Sequence, residues 1–121
     1  SIRNAFAAND AVSFGSIINA YTQPFLLLYN HRKDRGYRME AFAKAIRQSA
    51  AKPVCIGVIG EHKKACARYM QRTTGIRAQA VERPKEWIQA QNVRHVLCAG
   101  NIKGEGRQFL EEMIEGARQN V

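Results

Sequence analysis

Polar and basic side chains collect where the predicted strands of this sequence end, and together they are suited to binding an anion. Lysine and arginine supply positive charge, histidine and asparagine donate hydrogen bonds, and glycine lets backbone N–H groups approach a ligand closely. We expect contacts with phosphate groups, in a nucleic acid or in a smaller ligand, from His31, Arg32, Lys33, Gly60, His62, Lys63, Lys64, Arg68, Arg72, Asn101, Lys103 and Gly104. These residue types predict a surface that holds an anion.

Two glycine-containing segments suit a phosphate group in particular. Gly60 precedes a predicted helix, whose first N–H groups lack internal partners and carry partial positive charge. The segment 100–106 reads Gly-Asn-Ile-Lys-Gly-Glu-Gly, and its N–H groups can surround an anion beside Lys103. Because neither the GxxxxGK[ST] nor the GxGxxG signature is present, simple turn chemistry is the alternative explanation of both segments.

A stripe of three cations lies on one predicted helix. Lys64, Arg68 and Arg72 recur every fourth residue, while Cys66 and Met70 make the opposite, apolar face. No carboxylate is interleaved on the stripe, so the partners of ordinary i,i+4 ion pairs are lacking. Such a row can follow a phosphate backbone through salt-sensitive contacts. The alternative is an ordinary solvated helix face.

Indications of catalysis are weak. Glu61 and His62 form an acid–base pair near a predicted strand end, but a carboxylate that stabilises a helix N-terminus explains Glu61 more simply. Asp34, Glu82 and Glu105 are scattered along the chain. A metal-dependent nuclease or polymerase needs clustered acids, so the sequence argues against a self-contained site of that kind. We leave the catalytic residues unassigned and expect neither a metal nor a cofactor.

The three cysteines, Cys55, Cys66 and Cys98, are an odd number and include no CxxC pair. Two fall in predicted strands and one on a predicted helix, which is typical of buried thiols. We therefore expect a reducing intracellular compartment, namely the cytoplasm. A Cys/His nucleophile or a zinc site is the alternative, although no pair of cysteines or histidines has metal-ligand spacing.

The net charge of +9 and the isoelectric point near 10.0 require an explanation, because self-repulsion destabilises the folded state. Residues 1–103 hold 17 Lys and Arg against 6 Asp and Glu, and residues 104–121 hold 2 against 4. The excess positive charge therefore belongs to the first part of the chain, and the last helix is acidic. Nucleic acid, an anionic membrane surface or an acidic protein are the usual partners of such a charge.

The elements that must position these residues follow from hydrophobic periodicity. Apolar runs predict strands over Phe25–Tyr29, Val54–Ile59, Ile76–Val81 and Val93–Ala99. Apolar residues at helical spacing predict helices over residues 2–21, from Arg38 to about Ala50, and over residues 61–73, 84–91 and 107–119. No run approaches the roughly 20 apolar residues that cross a bilayer, so we expect no membrane partner.

Strands that alternate with helices predict an α/β fold, a three-layer Rossmann-like sandwich with a mostly parallel sheet of about four strands and an N-terminal helical arm. We expect a single domain over residues 1–121, with the arm in 1–23 and the alternating core in 24–121. Ser1 is not an initiator residue, which raises the expectation that the chain is a fragment of a larger protein.

The leading hypothesis from the sequence is a basic nucleic-acid-binding module, for DNA or RNA, that contacts phosphates through the strand-end loops and the helix stripe. One alternative is a small-molecule enzyme or binder for a nucleotide or sugar phosphate, in which Gly60 and residues 100–106 matter most. Another is a protein-interaction domain, whose basic surface meets an acidic partner or the acidic last helix of a second copy.

Overall fold

The computed structural model describes residues 2–4, 11–33, 36–101 and 104–119. Strands and helices alternate along these ranges, as the hydrophobic periodicity predicts. The strands are β1 (Ile2–Asn4), β2 (Phe25–His31), β3 (Ile56–Gly60), β4 (Ala78–Ala80) and β5 (His95–Gly100). The helices are α1 (Ala11–Asn19), α2 (Gly36–Gln48), α3 (Lys63–Thr74), α4 (Pro84–Ala90) and α5 (Glu105–Gln119).

The described strands form one parallel sheet with the order β1-β5-β2-β3-β4, which confirms the predicted α/β class and layered arrangement. The sheet has five strands, so the predicted number of about four is one too low. The additional strand lies in the predicted helical arm, because Ile2 pairs with Val96 and extends the sheet at one edge. Helix α1 is the helical part of that arm.

Strand β2 is the centre of the molecule, since it pairs with β5 on one side and β3 on the other. Side chains alternate between the two faces of a strand, and β2 sends successive residues into two separate cores. Phe25, Leu27 and Tyr29 join the core beneath α1, α2 and α3. Leu26 and Leu28 join the core beneath α4 and α5. A strand buried on both faces explains why this segment reads as a continuous apolar run.

Element boundaries differ from the predictions at both edges of the sheet, and β3, β4 and β5 each begin two residues later than predicted. Strand β2 continues through the polar residues Asn30 and His31, which are buried. The last helix begins at Glu105, two residues before its predicted start. Hydrophobic periodicity marks apolar positions, so it misses polar residues that are buried at the end of a strand. Of the helices in the described ranges, none is both long and apolar enough to cross a bilayer.

The order of the strands creates a crevice at the carboxyl edge of the sheet. From β2 the chain continues to β3 on one side, whereas β5 lies on the other side. Ligands of open parallel sheets bind at such a switch point, outside the carboxyl ends of the strands. The segments that follow β2, β3 and β5 meet there, together with the first turn of α5.

Candidate functional site

A cavity of about 420 Å³ lies at this switch point. That volume is within the range usual for small-molecule sites. Its lining comes from the ends of β2 and β3 and from the start of α5, and consists of Asn30, His31, Arg32, Gly60, Glu61, Gly104 and Glu105. We call this cavity the switch-point cleft. It contains both a cation and carboxylates, so it can bind opposite charges of one ligand.

His31 is the buried titratable residue of the cleft, with 6% of its surface exposed. Its Nδ1 lies 2.8 Å from the carbonyl oxygen of Glu61, which can only accept, so Nδ1 donates the hydrogen bond. In the neutral ring the other nitrogen, Nε2, then carries the lone pair. Within the described residues Nε2 is buried and has no hydrogen-bond partner. A buried acceptor in this state is costly, and His31 is also part of the lining of the cleft.

Glu105 connects the two halves of the cleft. Its Oε2 accepts a hydrogen bond of 2.8 Å from the backbone N–H of Gly60, and its Oε1 lies 3.1 Å from Nζ of Lys63. Lys63 also lies 3.3 Å from Glu82. Burial acts to lower the pKa of Lys63, but the hydrogen bonds to Glu105 and Glu82 outweigh burial and hold that pKa above its ordinary value. The two carboxylates thereby stabilise a cation at the N-terminus of α3, where the helix dipole disfavours it.

The backbones of three glycines lie close to Asn30 and fix its position. A Cβ atom on Gly100 would lie 2.4 Å from the carbonyl oxygen of Asn30, and one on Gly60 would lie 2.4 Å from its Oδ1. A Cβ atom on Gly106 would lie 2.6 Å from its Nδ2, which donates to the carbonyl oxygen of Asn101. These glycines bring β2, β3, β5 and α5 together, so their function at this edge includes packing around Asn30 as well as turning the chain.

The structure brings several of the predicted site residues together and leaves others apart. His31, Arg32, Gly60 and Gly104 line the switch-point cleft, and Lys63 is joined to it through Glu105. Those outside the lining of the cleft are His62, Lys64, Arg68, Arg72, Lys33 and Asn101. Lys103 lies outside the described residues.

Among the described residues, no hydrogen bond or ion pair joins the side chains of Glu61 and His62, the candidate acid–base pair. The Oε1 atom of Glu61 accepts a hydrogen bond of 3.3 Å from the backbone N–H of Lys33, which ties the loop after β2 to the loop after β3. His62 is exposed and has the left-handed φ of 51°, and its side chain does not cap α3. A non-glycine residue in that region is strained, so the turn into α3 is held by its surroundings.

A second cavity, of about 330 Å³, lies on the side of α4 and α5 and shares Glu105 with the switch-point cleft. Its lining includes the carboxylates Glu82, Glu86 and Glu112, against the single cation Arg83. This charge disfavours an anion, so the predicted anion site does not extend into it. Within the described ranges, no group of three or more His, Cys, Asp or Glu is placed to hold a metal ion.

Cys55, Cys66 and Cys98 are buried and not in disulfides, as the sequence predicts. Burial raises the pKa of the Cys66 and Cys98 thiols from 9.0 to about 12. At a pH between 9.0 and about 12, the two thiols are deprotonated in the unfolded chain but remain protonated in the folded chain. The contribution of the thiols to stability is therefore complete below pH 9 and is lost as the pH rises from 9 towards about 12.

We expect the free energy of unfolding, measured with urea, to fall as the pH rises above 9.0. The matched control carries Cys66→Ala and Cys98→Ala, which remove both thiols and cost a fixed amount at every pH. Its free energy of unfolding should fall less over the same interval. An equal fall in both proteins would show that the buried thiols do not cause the pH dependence.

The similarity of this chain to known proteins extends over most of its length. The family model of the poly-gamma-glutamate synthase CapB C-terminal domain matches residues 2–116. A crystal structure of a domain from a Haemophilus ducreyi 35000HP protein, assigned as a UDP-N-acetylmuramate:L-alanyl-gamma-D-glutamyl-medo-diaminopimelate ligase, is similar in fold. The two chains are 13% identical with a TM-score of 0.58, and the similarity covers 95% of this chain and 89% of that one. No curated protein matches the sequence.

These findings overturn the leading hypothesis of a module that binds DNA or RNA. The matched family is a domain of a poly-gamma-glutamate synthase, so a nucleic-acid partner is not supported. The error has a physical cause, because lysine and arginine attract any anion and their number does not distinguish a phosphate from a carboxylate. The family match favours the alternative of a small-molecule enzyme or binder over the nucleic-acid module.

Proposed function

This chain belongs to the family of poly-gamma-glutamate synthase CapB C-terminal domains, and we propose that it is the amino-acid-binding domain of such a synthase. The observation that carries the proposal is the match of residues 2–116, which spans the sheet and the switch-point cleft. In this proposal the domain binds glutamate and presents it for joining to another glutamate through a γ-amide bond. The charged side chains around the cleft then have a function in substrate binding.

Glutamate has two carboxylates and one ammonium group, and the cleft offers partners for both signs of charge. Arg32 supplies a guanidinium that can bind a carboxylate in a bidentate manner. Glu61 and Glu105 supply carboxylates for the ammonium group. Because Glu105 already accepts from Gly60 and Lys63, its orientation is set before a ligand arrives.

His31 has a defined part in this proposal. The bond from Nδ1 to Glu61 fixes the tautomer, so that Nε2 accepts a hydrogen bond from the ammonium group of glutamate. That bond is charge-assisted and supplies the partner that Nε2 otherwise lacks among the described residues. His31 is therefore assigned to binding and orienting the amino group.

The test uses the His31→Asn variant, because the asparagine amide can keep the donor to Glu61 while Nε2 is removed. Isothermal titration of the chain with glutamate should show binding that weakens by at least about tenfold in the variant, as expected for the loss of a hydrogen bond to a charged group. The control, His95→Asn, changes the same residue type at the amino end of β5 and should bind glutamate normally. Equal affinity in both variants would refute the assignment of His31.

A parallel titration distinguishes the ligand classes. The chain should bind glutamate in preference to a nucleotide or a sugar phosphate at the same concentration, and thermal stabilisation should follow the same order. Stabilisation by a mononucleotide without stabilisation by glutamate would overturn the proposal of an amino-acid site.

We also propose that the chain works in the cytoplasm, as the sequence leads us to expect. The support is the state of the cysteines, which are buried as free thiols. Free thiols persist where glutathione and thioredoxin keep the environment reducing. Fractionation of cells that express the protein, followed by immunodetection, tests this expectation.

A further inference from the structure

Helices α2 and α3 carry a group of cations that the switch-point cleft does not use. Lys44 and Arg47 lie on α2, and Lys64, Arg68 and Arg72 form the predicted stripe on α3. All are exposed, and none forms an ion pair with a carboxylate among the described residues. We call these five residues the basic face.

A groove of about 440 Å³ runs between the two helices within this face. Lys44 and Arg47 line it from α2, and Tyr69 and Thr73 line it from α3. Each of these α3 residues directly follows a stripe arginine in the sequence, so the stripe flanks the groove. Glu40 is the one carboxylate in the lining, and the charge of the groove and its flank is therefore strongly positive.

The arrangement of the stripe is unfavourable for the isolated domain. Like charges at i and i+4 destabilise a helix, and Lys64, Arg68 and Arg72 place two such pairs in succession. Natural sequences tolerate local costs of this kind mainly at functional sites. A polyanion that neutralises several cations at once would remove the repulsion between them, and this relief would favour binding.

We propose that the basic face holds the growing poly-γ-glutamate chain, an inference that rests on the proposed function. This polymer carries one free α-carboxylate on every unit, so it is a regular polyanion. Cations at i, i+4 and i+8 are separated by about 6 Å along the helix axis. An α-peptide unit extends to about 3.5 Å. A γ-linked unit has two more backbone bonds, so it extends to about 6 Å and matches the spacing of the cations.

The position of the basic face relative to the cleft supports the same occupant. Helix α3 begins with Lys63, whose ammonium contacts Glu105 in the lining of the cleft. Lys64, the first cation of the stripe, is the next residue. A polymer whose end lies at the cleft thus meets the stripe at once and can continue along α3 and the groove.

The test compares two variants with the same change in charge. Arg68→Gln with Arg72→Gln removes two cations of the basic face, and Lys85→Gln with Arg107→Gln removes two exposed cations from α4 and α5 on the opposite side of the sheet. Fluorescence anisotropy with a labelled poly-γ-glutamate oligomer should show affinity about tenfold lower in the first variant, as expected for two exposed charge contacts. The second variant should bind nearly as the unmodified chain does.

The outcomes separate this inference from the proposed glutamate site. His31→Asn should weaken binding of free glutamate and leave most of the oligomer affinity, whereas the Arg68 and Arg72 variant should do the reverse. Oligomer binding that depends on the basic face, in a chain that does not bind glutamate, would sustain this inference and overturn the glutamate site. Equal affinities of the two paired variants for the oligomer would overturn the basic face. Equal affinity for an oligothymidylate of the same charge would show an unspecific cationic surface and would also overturn it.

Discussion

Replacing Gly60 with alanine is expected to lower the free energy of unfolding by about 4 kcal/mol, through backbone strain and overpacking that each cost about 1–3 kcal/mol. The backbone of Gly60 has a φ of 97°, which L side chains rarely adopt. Its Cβ atom would lie 2.3 Å from the carbonyl oxygen of His31, a backbone atom that cannot turn aside. Relief therefore requires β2 and β3 to separate at the cleft, where Glu61 N–H bonds to that same oxygen.

Alanine variants at two other glycines separate the cost of backbone strain from the cost of overpacking. Gly75 ends α3 with a φ of 76° and has open space around its Cβ position, so alanine there should cost about 1 kcal/mol from the backbone alone. Gly15 lies inside α1, also with open space, and alanine there should stabilise the protein by about 0.5–1 kcal/mol. Urea unfolding of the three variants measures the series.

The order of the three variants is the decisive result. A Gly60→Ala cost close to that of Gly75→Ala would mean that contact with His31 contributes nothing, and the close approach of β2 to β3 would be wrong. If the expected order holds, glutamate titration of Gly60→Ala should also show weaker binding, because Gly60 N–H bonds to Glu105 and Gly60 lines the cleft.

The sequence predicted the parts of the fold that depend on apolar periodicity. The run from Phe25 to Tyr29 contributes side chains to two cores, so neither of its faces is polar. A continuous apolar run of this kind is typical of a central strand. Strand β1 was missed because three residues are too few to show a period, and because Ile2 is only one apolar residue at an exposed edge. Its place in the sheet depends on pairing with β5, which local sequence does not encode.

The edge of the sheet that holds the cleft was predicted, because parallel strands must end together. The structural roles of Glu105 and Asn30 at this edge were not predicted. Glu105 follows Gly104 in the chain, but its contacts with Gly60 and Lys63 join positions more than forty residues apart. Asn30 has a polar side chain at the end of an apolar run, and the sequence does not show that three glycines close around it.

The nucleic-acid partner was the largest error, and its origin is general. Excess charge fixes the sign of a partner and leaves its identity open. The Gly60 turn and the stripe of Lys64, Arg68 and Arg72 suit carboxylates as well as phosphates. The match over residues 2–116 sets the nucleic-acid partner aside, and the choice of a carboxylate ligand rests on the proposed function.

Replacing Phe42 with alanine is expected to lower the free energy of unfolding by about 3–5 kcal/mol, because it leaves a cavity in the core beneath α1, α2 and α3. Phe42 is 1% exposed, and its ring centroid lies 4.6 Å from that of Phe14 and 5.3 Å from that of Tyr29. One ring thus joins α1 and α2 to the central strand. Urea unfolding followed by circular dichroism measures the loss.

The matched control is Tyr37→Ala, which removes an aromatic ring from the same helix where 62% of the residue is exposed. Alanine at this position should lower the free energy of unfolding by less than Phe42→Ala does, because it leaves no buried cavity. Comparable losses in the two variants would mean that Phe42 does not anchor α2. If the losses differ as expected, the buried ring of Phe42 anchors the helix that carries Lys44 and Arg47, the two cations by which this helix contributes to the basic face.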